Sequence, residues 1–577
     1  MSKVIFDIEA NGLEPTKVWC IAAKVYGQSW DAKFFGPEQI HNFYDWLMYV
    51  KADTLIGHNI IGYDLPVLMK LTKFIWQGKI EDTLVMSRLD NPSREGGHSL
   101  ESWGQRMNFP KQDFHDFDNY SEKMKEYCIN DVDVTYRIYD MLSKTNLSKD
   151  ALKLEHHTAE IIQQQKDNGW LFDSQKATVL LAELKQEMVN AEKEVHEVFE
   201  PLPVFKPLQF PSKPYTLDGE ISGNFLRQLD ALAFLDDELG WGCWTLPPFN
   251  LGSRQQIGRY LMHYGWEPKE FTETGQPKVS ETILEGVDIP EAQLIAKYLM
   301  LQKRVGLVSS WIDSIDIKDE RIHGSVNSCG AVTGRMTHTK PNLAQVPSSH
   351  SPYGKECREL FIVPKDYKLV GCDASGLELR MLAHYMNDSD YTKEILHGDI
   401  HTANQNAAGL ESRDAAKTFI YAFLYGAGDE KIGSIVKGSR EDGRLLKEHF
   451  LSNTPALKSL RERITKESEG GKIKGLDGRN LHIRSSHAAL NTLLQSAGAI
   501  VMKKALVILD GYCKDYQIDY KFVGNIHDEI QTEVREDQAD MFGQFAVASI
   551  VEAGKVFNLN CPLDAEYKIG NSWADTH

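Results

Sequence analysis

Three ionisable residues stand in a row, His527-Asp528-Glu529, inside an otherwise apolar run that enters through Phe522-Val523-Gly524-Asn525-Ile526 and leaves through Ile530. No other feature limits the fold as strongly. Unpaired charge is costly to bury, so the triplet must meet partners or a ligand, and we place it at or near a hairpin bend. A second acidic element has related form. Lys368-Leu369-Val370-Gly371-Cys372-Asp373-Ala374-Ser375-Gly376-Leu377-Glu378 reads as a strand, a tight turn at Ser375-Gly376 and a helix start, with Asp373 at the strand end. Taken alone, Asp373 could equally be a helix cap.

At 577 residues the chain exceeds what one core supports, which predicts two or more domains. Hydrophobic residues make up 42% and charged residues 25%, the balance of a globular rather than a disordered chain. The eight cysteines are scattered, with no C-x-x-C pair and no histidine at zinc-finger spacing, so neither structural zinc nor a disulfide framework is expected. A reducing cytoplasm fits that usage. Met1-Ser2-Lys3-Val4-Ile5-Phe6-Asp7 lacks a signal core, and we find no run of about 18 apolar residues, which predicts a soluble chain with no membrane partner. The net charge of −18 does not suggest a nucleic-acid binder. Distribution matters more than the sum, because an acidic surface can coexist with a basic channel, and acidic clusters that hold metal belong to phosphoryl-transfer chemistry.

Residues 1–145 alternate short β-like and helical runs, the texture of an α/β domain. Beyond them Leu181, Leu184, Met188, Ala191, Val195 and Val198 recur at helical spacing after Asp173-Ser174, predicting a long amphipathic helix capped by Asp173. Residues 201–248 are rich in proline and aromatics, carry six acids against three bases, and read as an inserted loop region or small subdomain. Helical texture resumes over 253–264 and 291–306.

Three pieces of the first domain carry further acids. In Val4-Ile5-Phe6-Asp7-Ile8-Glu9 the strand period puts Asp7 and Glu9 on one face, where they call for a cation or form the solvated face of an edge strand. Asp64 falls where a helix begins, with Pro66 in its first turn, and alone would read as a cap. Tyr127 and Asp131 stack at i,i+4, while the core stripe of Ile129, Val132, Tyr136 and Tyr139 points elsewhere. Farther on, Arg413, Lys417, Tyr421 and Tyr425 fall at four-residue steps, a helical stripe drifting about 40° per step. Two cations followed by two phenols suit a triphosphate, a sugar and a base. A solvated basic turn followed by core tyrosines would give the same pattern.

Asp7, Glu9, Asp64, Tyr127 and Asp131 together resemble the Asp-Glu…Asp…Tyr-x-x-x-Asp signature of the proofreading exonuclease in family A DNA polymerases, a ribonuclease-H-like fold. The resemblance extends to nearly the whole chain, residues 201–248 excepted, and is strongest to the replicative enzymes of podophages. It rests on the two acidic elements, the Arg413–Tyr425 stripe, and His323-Gly324-Ser325-Val326-Asn327, Thr333-Gly334-Arg335, Asn342-Leu343-Ala344-Gln345-Val346-Pro347, Gly398-Asp399-Ile400-His401 and Leu494-Gln495-Ser496-Ala497-Gly498.

That resemblance implies a multidomain α/β and α+β protein: a ribonuclease-H-like exonuclease domain over 1–145, then a right-hand polymerase domain over 146–577. Within the latter the thumb would span about 150–315 with the 201–248 insertion, the palm about 316–383 and 510–577, and the fingers about 384–509. It implies DNA-templated extension of a primer with dNTPs and 3′→5′ proofreading, each using two Mg²⁺ ions that Mn²⁺ can replace. Asp373, Asp528 and the Ala374 carbonyl would hold one metal pair, and Asp7, Glu9, Asp64 and Asp131 the other, with Tyr127 orienting the attacking water. His401, Arg413 and Lys417 would contact phosphates, with Lys417 protonating pyrophosphate. Tyr421 would lie beside the incoming sugar, Glu378 where a ribose 2′-hydroxyl would go, and Tyr425 near the templating base. Arg335 and Gln495 would read minor-groove acceptors, and His527 would sit near the primer end. Implied partners are primer-template DNA, dNTPs, a processivity factor and a replicative helicase-primase, in a bacterial host's cytoplasm. Podophage members recruit host thioredoxin through a long basic thumb insertion; the shorter, acidic 201–248 stretch speaks against that partner. Two rivals share parts of the pattern: a single-subunit RNA polymerase, against which Glu378 and the complete exonuclease set argue, and an exonuclease with a non-catalytic DNA clamp, against which Asp373 and Asp528 argue.

Overall fold

The computed structural model describes residues 2–28, 31–287 and 289–577. They form two compact units, Met1–Phe172 with Ser314–His577, and Asp173–Asp313. The segment expected as the thumb is thereby divided: helix Lys149–Asn168 packs in the first unit, and Asp173–Asp313 makes up the second.

The first unit opens with a five-stranded sheet in the order Lys33–Phe35, Val18–Val25, Ser2–Ala10, Ala52–Gly57, Lys79–Asp82. The first three strands pair antiparallel and the last two join in parallel, the arrangement of a ribonuclease-H-like sheet. Ser2–Ala10 is central, which rules out the edge-strand reading of its acids. Covered on both faces, it buries Ile5 as well as Val4, Phe6 and Ile8, in two separate apolar clusters. Helix Glu122–Ser143 crosses one of these faces, with Ile5, Met124, Cys128, Val132 and Ile138 in a shared cluster.

Later in the unit a four-stranded antiparallel sheet runs Tyr520–Ile526, Glu529–Arg535, Tyr367–Ala374, Ala565–Gly570. Helices Ala489–Asp515 and Ala539–Val556 share the large core that this sheet borders. The stretch Ser486–Asp515 is long and apolar enough to cross a membrane by length and composition, but 72% of its most apolar window is buried inside the protein. It is a core helix, apolar on most of its faces because protein covers them.

Helix Lys149–Asn168 serves both halves of this unit. Leu152 and Ala159 pack against the cores of the N-terminal sheet, while Ile161 and Ile162 are buried in the core of the four-stranded one. Gly169 ends the helix at φ +61°, and a Cβ there would meet His323 and Arg321 at 2.7 and 2.9 Å, so both its conformation and its surroundings demand glycine.

The second unit is built on helices Ser174–Val198 and Ala292–Ile312. The Asp173 carboxylate caps the former by accepting from Lys176 N at 2.8 Å. Its buried stripe is Ala177, Leu180, Leu184, Ala191 and Val195; Leu180 rather than Leu181 faces inward, and Val198 is exposed. Residues 201–248 fold as a small subdomain, with strands in the order Val204–Pro207, Gly240–Thr245, Phe234–Asp236 and helix Gly223–Asp230. That helix buries none of its residues. Phe210, Tyr215, Leu217, Leu232, Leu235, Trp244 and Leu246 are all at least half exposed.

Candidate active sites

In the N-terminal half the central strand ends on Asp7 and Glu9, whose carboxylate oxygens lie with the Cys128 sulfur inside a 4.8 Å cluster. Cys128 is turned toward backbone, its thiol donating to the Asp7 carbonyl at 3.5 Å, so the carboxylates are the cluster's charged part. Asp64 occupies the first turn of helix Asp64–Thr72 and caps nothing. Its Oδ1 instead accepts from Ile8 N at 3.2 Å, which draws it to the same strand. Asp131 approaches from helix Glu122–Ser143; its Oδ2 meets Lys111 Nζ at 2.6 Å, while its Oδ1 is buried with no hydrogen-bond partner among the described residues.

Asp131 and Tyr127 are both buried, where the sequence stripe had set them apart from the core. The helix is covered on more sides than its apolar residues imply, because the loop before it folds over this face. The Tyr127 ring packs 5.3 Å from Phe114 and 6.1 Å from Phe117, and Lys111 Nζ lies 4.5 Å from its centroid.

This crowding changes the acidity of every member. Burial, then the neighbouring Asp64 and Glu9, raises Asp7 well above the carboxylate range. Burial followed by Asp131 pushes Glu9 up to about 9, and burial pushes Asp64 to about 7 against the backbone bonds that oppose it. Asp131 rises to about 6, burial outweighing the Lys111 cation, and Tyr127 rises to about 12 through burial and Asp131. Four enclosed carboxylates facing one lysine, with an oxygen left unpartnered, are short of positive charge. Hard oxygen donors in that state fit divalent cations.

Sequence reasoning did not find Lys111, which follows Pro110 in a loop and has no periodic signal. Nor did it find Asp82, which accepts from Asn59, Ile61 and Leu84 backbone amides and so holds the loop that leads into Asp64.

The second site lies where the four-stranded sheet ends. His527 and Asp528 form the bend between Tyr520–Ile526 and Glu529–Arg535, with His527 in the left-handed region at φ +59°. Asp373, next to last in its strand, pairs in register with Glu529, and Ala374 N donates to the Asp528 carbonyl at 3.1 Å. Pairing of the strands thus carries Asp373 and Asp528, 155 positions apart in sequence, to one end of the sheet. Asp373 reaches solvent, yet surrounding protein, then Asp528 and Glu529, push its carboxyl up to about 7. Burial raises Asp528 as well. Two facing carboxylates at a strand end, both disfavoured as anions, again fit divalent cations.

Glu529 differs from its two neighbours. It is buried, accepts from Trp573 Nε1 at 2.7 Å and from Gln531, and pairs with His577 Nδ1 at 3.0 Å; these partners lower its pKa despite burial. The C-terminus therefore supplies the partners that one member of the triplet needs.

Gly376, at φ +59°, turns the chain from Asp373 into helix Leu377–Met386 and sets Glu378 in its first turn. Glu378 accepts from Arg335 Nη2 at 2.9 Å and from the Tyr425 hydroxyl at 2.6 Å, tying three sequence-predicted residues together. Helix Arg413–Leu424, capped by Ser412, carries the cation and phenol stripe. Tyr421 and Tyr425 stack with centroids 6.3 Å apart, and His401 lies 6.3 Å from Tyr421. Lys417 is exposed on that helix. Arg413 is held by Asp399 in two contacts of 2.6 and 3.2 Å, a pairing the sequence reading did not foresee. The His401 Nδ1 atom is buried without a hydrogen-bond partner among the described residues. Gln495 is half-buried early in Ala489–Asp515, and His527 borders a cavity of about 30 Å³ with Arg335 and Lys503.

A ribonuclease-H-like sheet followed by a palm-like sheet with paired acids, faced by a helix of cations and phenols, defines a nucleotidyl-transfer enzyme that copies a template. The profile of DNA polymerase family A matches residues 243–575. The chain is 35% identical to the DNA-directed DNA polymerases of Escherichia phage T7 and Enterobacteria phage T3, each alignment covering 100% of both chains. It is 24% identical to DNA polymerase I of Pseudomonas aeruginosa over 79% of this chain and 48% of that one. Among solved structures, the POL domain of Pol1 from M. smegmatis, in complex with DNA primer-template and dNTP, superposes with a TM-score of 0.77 at 18% identity, covering 99% of this chain and 95% of that one. The chain belongs to DNA polymerase family A, and its reaction is DNA-templated DNA synthesis of the phage replicative type. Divalent metal use comes with that family.

Proposed function

We propose that this chain extends a DNA primer with dNTPs at the Asp373/Asp528 end of the four-stranded sheet and removes mispaired 3′ ends by hydrolysis at the Asp7/Glu9 cluster. The observation carrying this reading is that two separate acidic sites, each short of positive charge, are built into one compact unit. Asp373, Asp528 and the Ala374 carbonyl would hold one pair of Mg²⁺ or Mn²⁺ ions, and Asp7, Glu9, Asp64 and Asp131 the other. When bound, such ions make a hydroxyl or water nucleophilic at neutral pH and offset charge on the phosphate and leaving oxygen.

The chain's own residues do the rest. His401, Arg413 and Lys417 bind the triphosphate, Arg413 exchanging the Asp399 carboxylate for phosphate oxygens of similar geometry. Lys417, exposed and one turn farther along, supplies the proton that the departing pyrophosphate takes up. Tyr421 flanks the sugar and Tyr425 the templating base; Glu378, tied to Tyr425 and Arg335, fills the space of a ribose 2′-hydroxyl and selects dNTPs. Arg335 and Gln495 accept any correctly shaped pair by its minor-groove acceptors, and His527 lies near the primer end. In the exonuclease site Tyr127, kept neutral by burial, orients the attacking water.

The domain reading assigns 1–145 to the exonuclease and 146–577 to the polymerase, with thumb about 150–315, palm about 316–383 and 510–577, and fingers about 384–509. Primer-template DNA and dNTPs are the substrates, with a bacterial host's cytoplasm as the setting, in keeping with the phage relatives. A processivity factor and a replicative helicase-primase are the proposed protein partners; the exposed apolar residues of 201–248 suit a protein better than DNA. The test is one labelled primer-template incubated with the purified chain and Mg²⁺, with and without dNTPs. Extension with dNTPs and 3′ shortening without them is the expected result. No shortening of a mismatched end would remove the proofreading half of the reading.

A further inference from the structure

Beneath the turn that carries Arg335 lies a buried four-charge cluster with no part in the chemistry described so far. Glu155, Asp477, Arg479 and Lys503 are each at most 2% exposed at their side chains. Arg479 meets Glu155 at 2.7 Å and Asp477 at 2.6 Å, and Lys503 meets the same Glu155 oxygen at 2.6 Å. Two anions balance two cations, but they come from three places in the chain: helix Lys149–Asn168, the turn between strands Lys472–Lys474 and Asn480–His482, and helix Ala489–Asp515. Buried ion pairs add little net stability compared with apolar residues of similar shape, and among the described residues Glu155 Oε2 is buried without a hydrogen-bond partner, so a cluster kept at that cost calls for another use.

The geometry supplies one. Lys503 Nζ also donates to the Gly334 carbonyl at 2.7 Å. Gly334 has φ +74°, its N–H closes a turn onto the Ala331 carbonyl at 2.8 Å, and a Cβ there would meet Arg479 Nη1 at 2.8 Å. The turn therefore rests directly on the two buried cations, and only glycine fits. The next residue is Arg335, which reaches Glu378 and through it Tyr425.

We propose that Lys503 is a positioning residue for DNA synthesis: seated on Glu155, its ammonium fixes the Gly334 carbonyl and thereby the direction in which Arg335 leaves the backbone. The proposal rests on the reading that Arg335 contacts the primer-template. Lys503 touches neither DNA nor nucleotide; it acts through Arg335 alone. Glu155 makes the device rigid, because it sits on the helix shared by both halves of the unit and ties Lys503 to Arg479.

The experiment is a double-mutant cycle on the full-length protein, in the Asp7→Ala/Glu9→Ala background so that 3′ digestion does not enter. Single-turnover incorporation on a matched primer-template is measured for Lys503→Met, Arg335→Ala and the pair. Arg335→Ala lowers incorporation efficiency strongly, Lys503→Met lowers it about tenfold, and Lys503→Met has no further effect once Arg335 is gone. Lys503→Arg, which keeps a buried cationic donor, recovers part of the loss. Should Lys503→Met unfold the protein by stranding Glu155, the charge-balanced Glu155→Gln/Lys503→Met variant replaces it in the same cycle. An equal loss from Lys503→Met with and without Arg335 would overturn the proposal, and so would no loss at all. If Arg335→Ala alone leaves incorporation unchanged, the DNA-contact reading of Arg335 fails, and the proposal falls with it whatever Lys503 does.

Discussion

The two acidic sites pose one electrostatic problem in opposite surroundings. Around Asp7 and Glu9 the carboxylates are packed under helices and aromatic rings, and burial raises all of them, Asp131 to about 6, Asp64 to about 7, Glu9 to about 9 and Asp7 well above the carboxylate range. Around Asp373 and Asp528 the acids stand at the end of an antiparallel sheet with Asp373 open to solvent. An enclosed cluster must be neutralised to be stable, and a matching cation adds stability as well as chemistry. An open one can exchange its ligands at each step, which suits an enzyme that takes in a new triphosphate with every addition.

The largest effect should come from separating the two sites. Asp373→Asn should reduce extension by at least about a thousandfold while leaving 3′ digestion within about twofold, as expected if paired charges stabilise the reaction in one site only. Asp7→Ala with Glu9→Ala should produce the reverse pattern in the same gel assay. Loss of both activities from a folded variant would mean that the sites are not independent.

Next in size is selectivity for the sugar. Glu378→Ala removes the acceptor shared by Arg335 and Tyr425 and opens space beside Tyr421. The ratio of dNTP to rNTP efficiency should fall about tenfold to a hundredfold in steady-state incorporation. An unchanged ratio would assign sugar selection elsewhere.

A smaller effect separates the sites through pH. Asp131, Asp64 and Glu9 hold protons more tightly folded than unfolded, at about 6, 7 and 9. Their contribution to stability is thus full at acid pH and declines as pH rises toward those values. His58, held near 3, and His338, near 4, act in the other direction, but only below about 6.5, where an unfolded histidine titrates. Between about pH 6.5 and 9 the melting temperature of the metal-free protein should therefore fall, and saturating Mg²⁺ should flatten the profile. A flat metal-free profile would show that the N-terminal acids are not enclosed as described.

The smallest expected change is at Lys111. Replacing it with Met leaves Asp131 without its ion pair and removes the cation lying over Tyr127. Digestion should slow about tenfold with extension unchanged, the scale of one charge-assisted hydrogen bond.

What could be read in advance followed from local rules. Strand period placed Asp7 beside Glu9, the break in an apolar run placed Asp528 at a bend, and four-residue spacing placed Arg413, Lys417 and Tyr421 on one helix with Tyr425 at its C-cap. The family resemblance then supplied the meeting of Asp373 with Asp528, which spacing could not. What stayed hidden depends on tertiary packing. Tyr127 lies under a loop that no periodicity describes, and Lys111 reaches Asp131 from that loop. Asn491, Thr492, Gln495, Ser496, Lys503, Lys504 and Asp510 keep Ala489–Asp515 from being an unbroken apolar run, so only its burial on most sides shows it to be a core helix. Glu155 and Lys503 look like ordinary surface charges in sequence; only three converging segments show that they are interior.

Helix Lys149–Asn168 also limits how the molecule can be divided. It contributes Leu152 and Ala159 to one half and Ile161 and Ile162 to the other, and its Ser148 cap residue donates to the Asp477 carbonyl. A protease nick or a gene fusion just after residue 145 would leave the excised N-terminal segment with a bare apolar flank. A chimaera that borrows this N-terminal sheet for another polymerase should therefore carry the helix across as part of the graft.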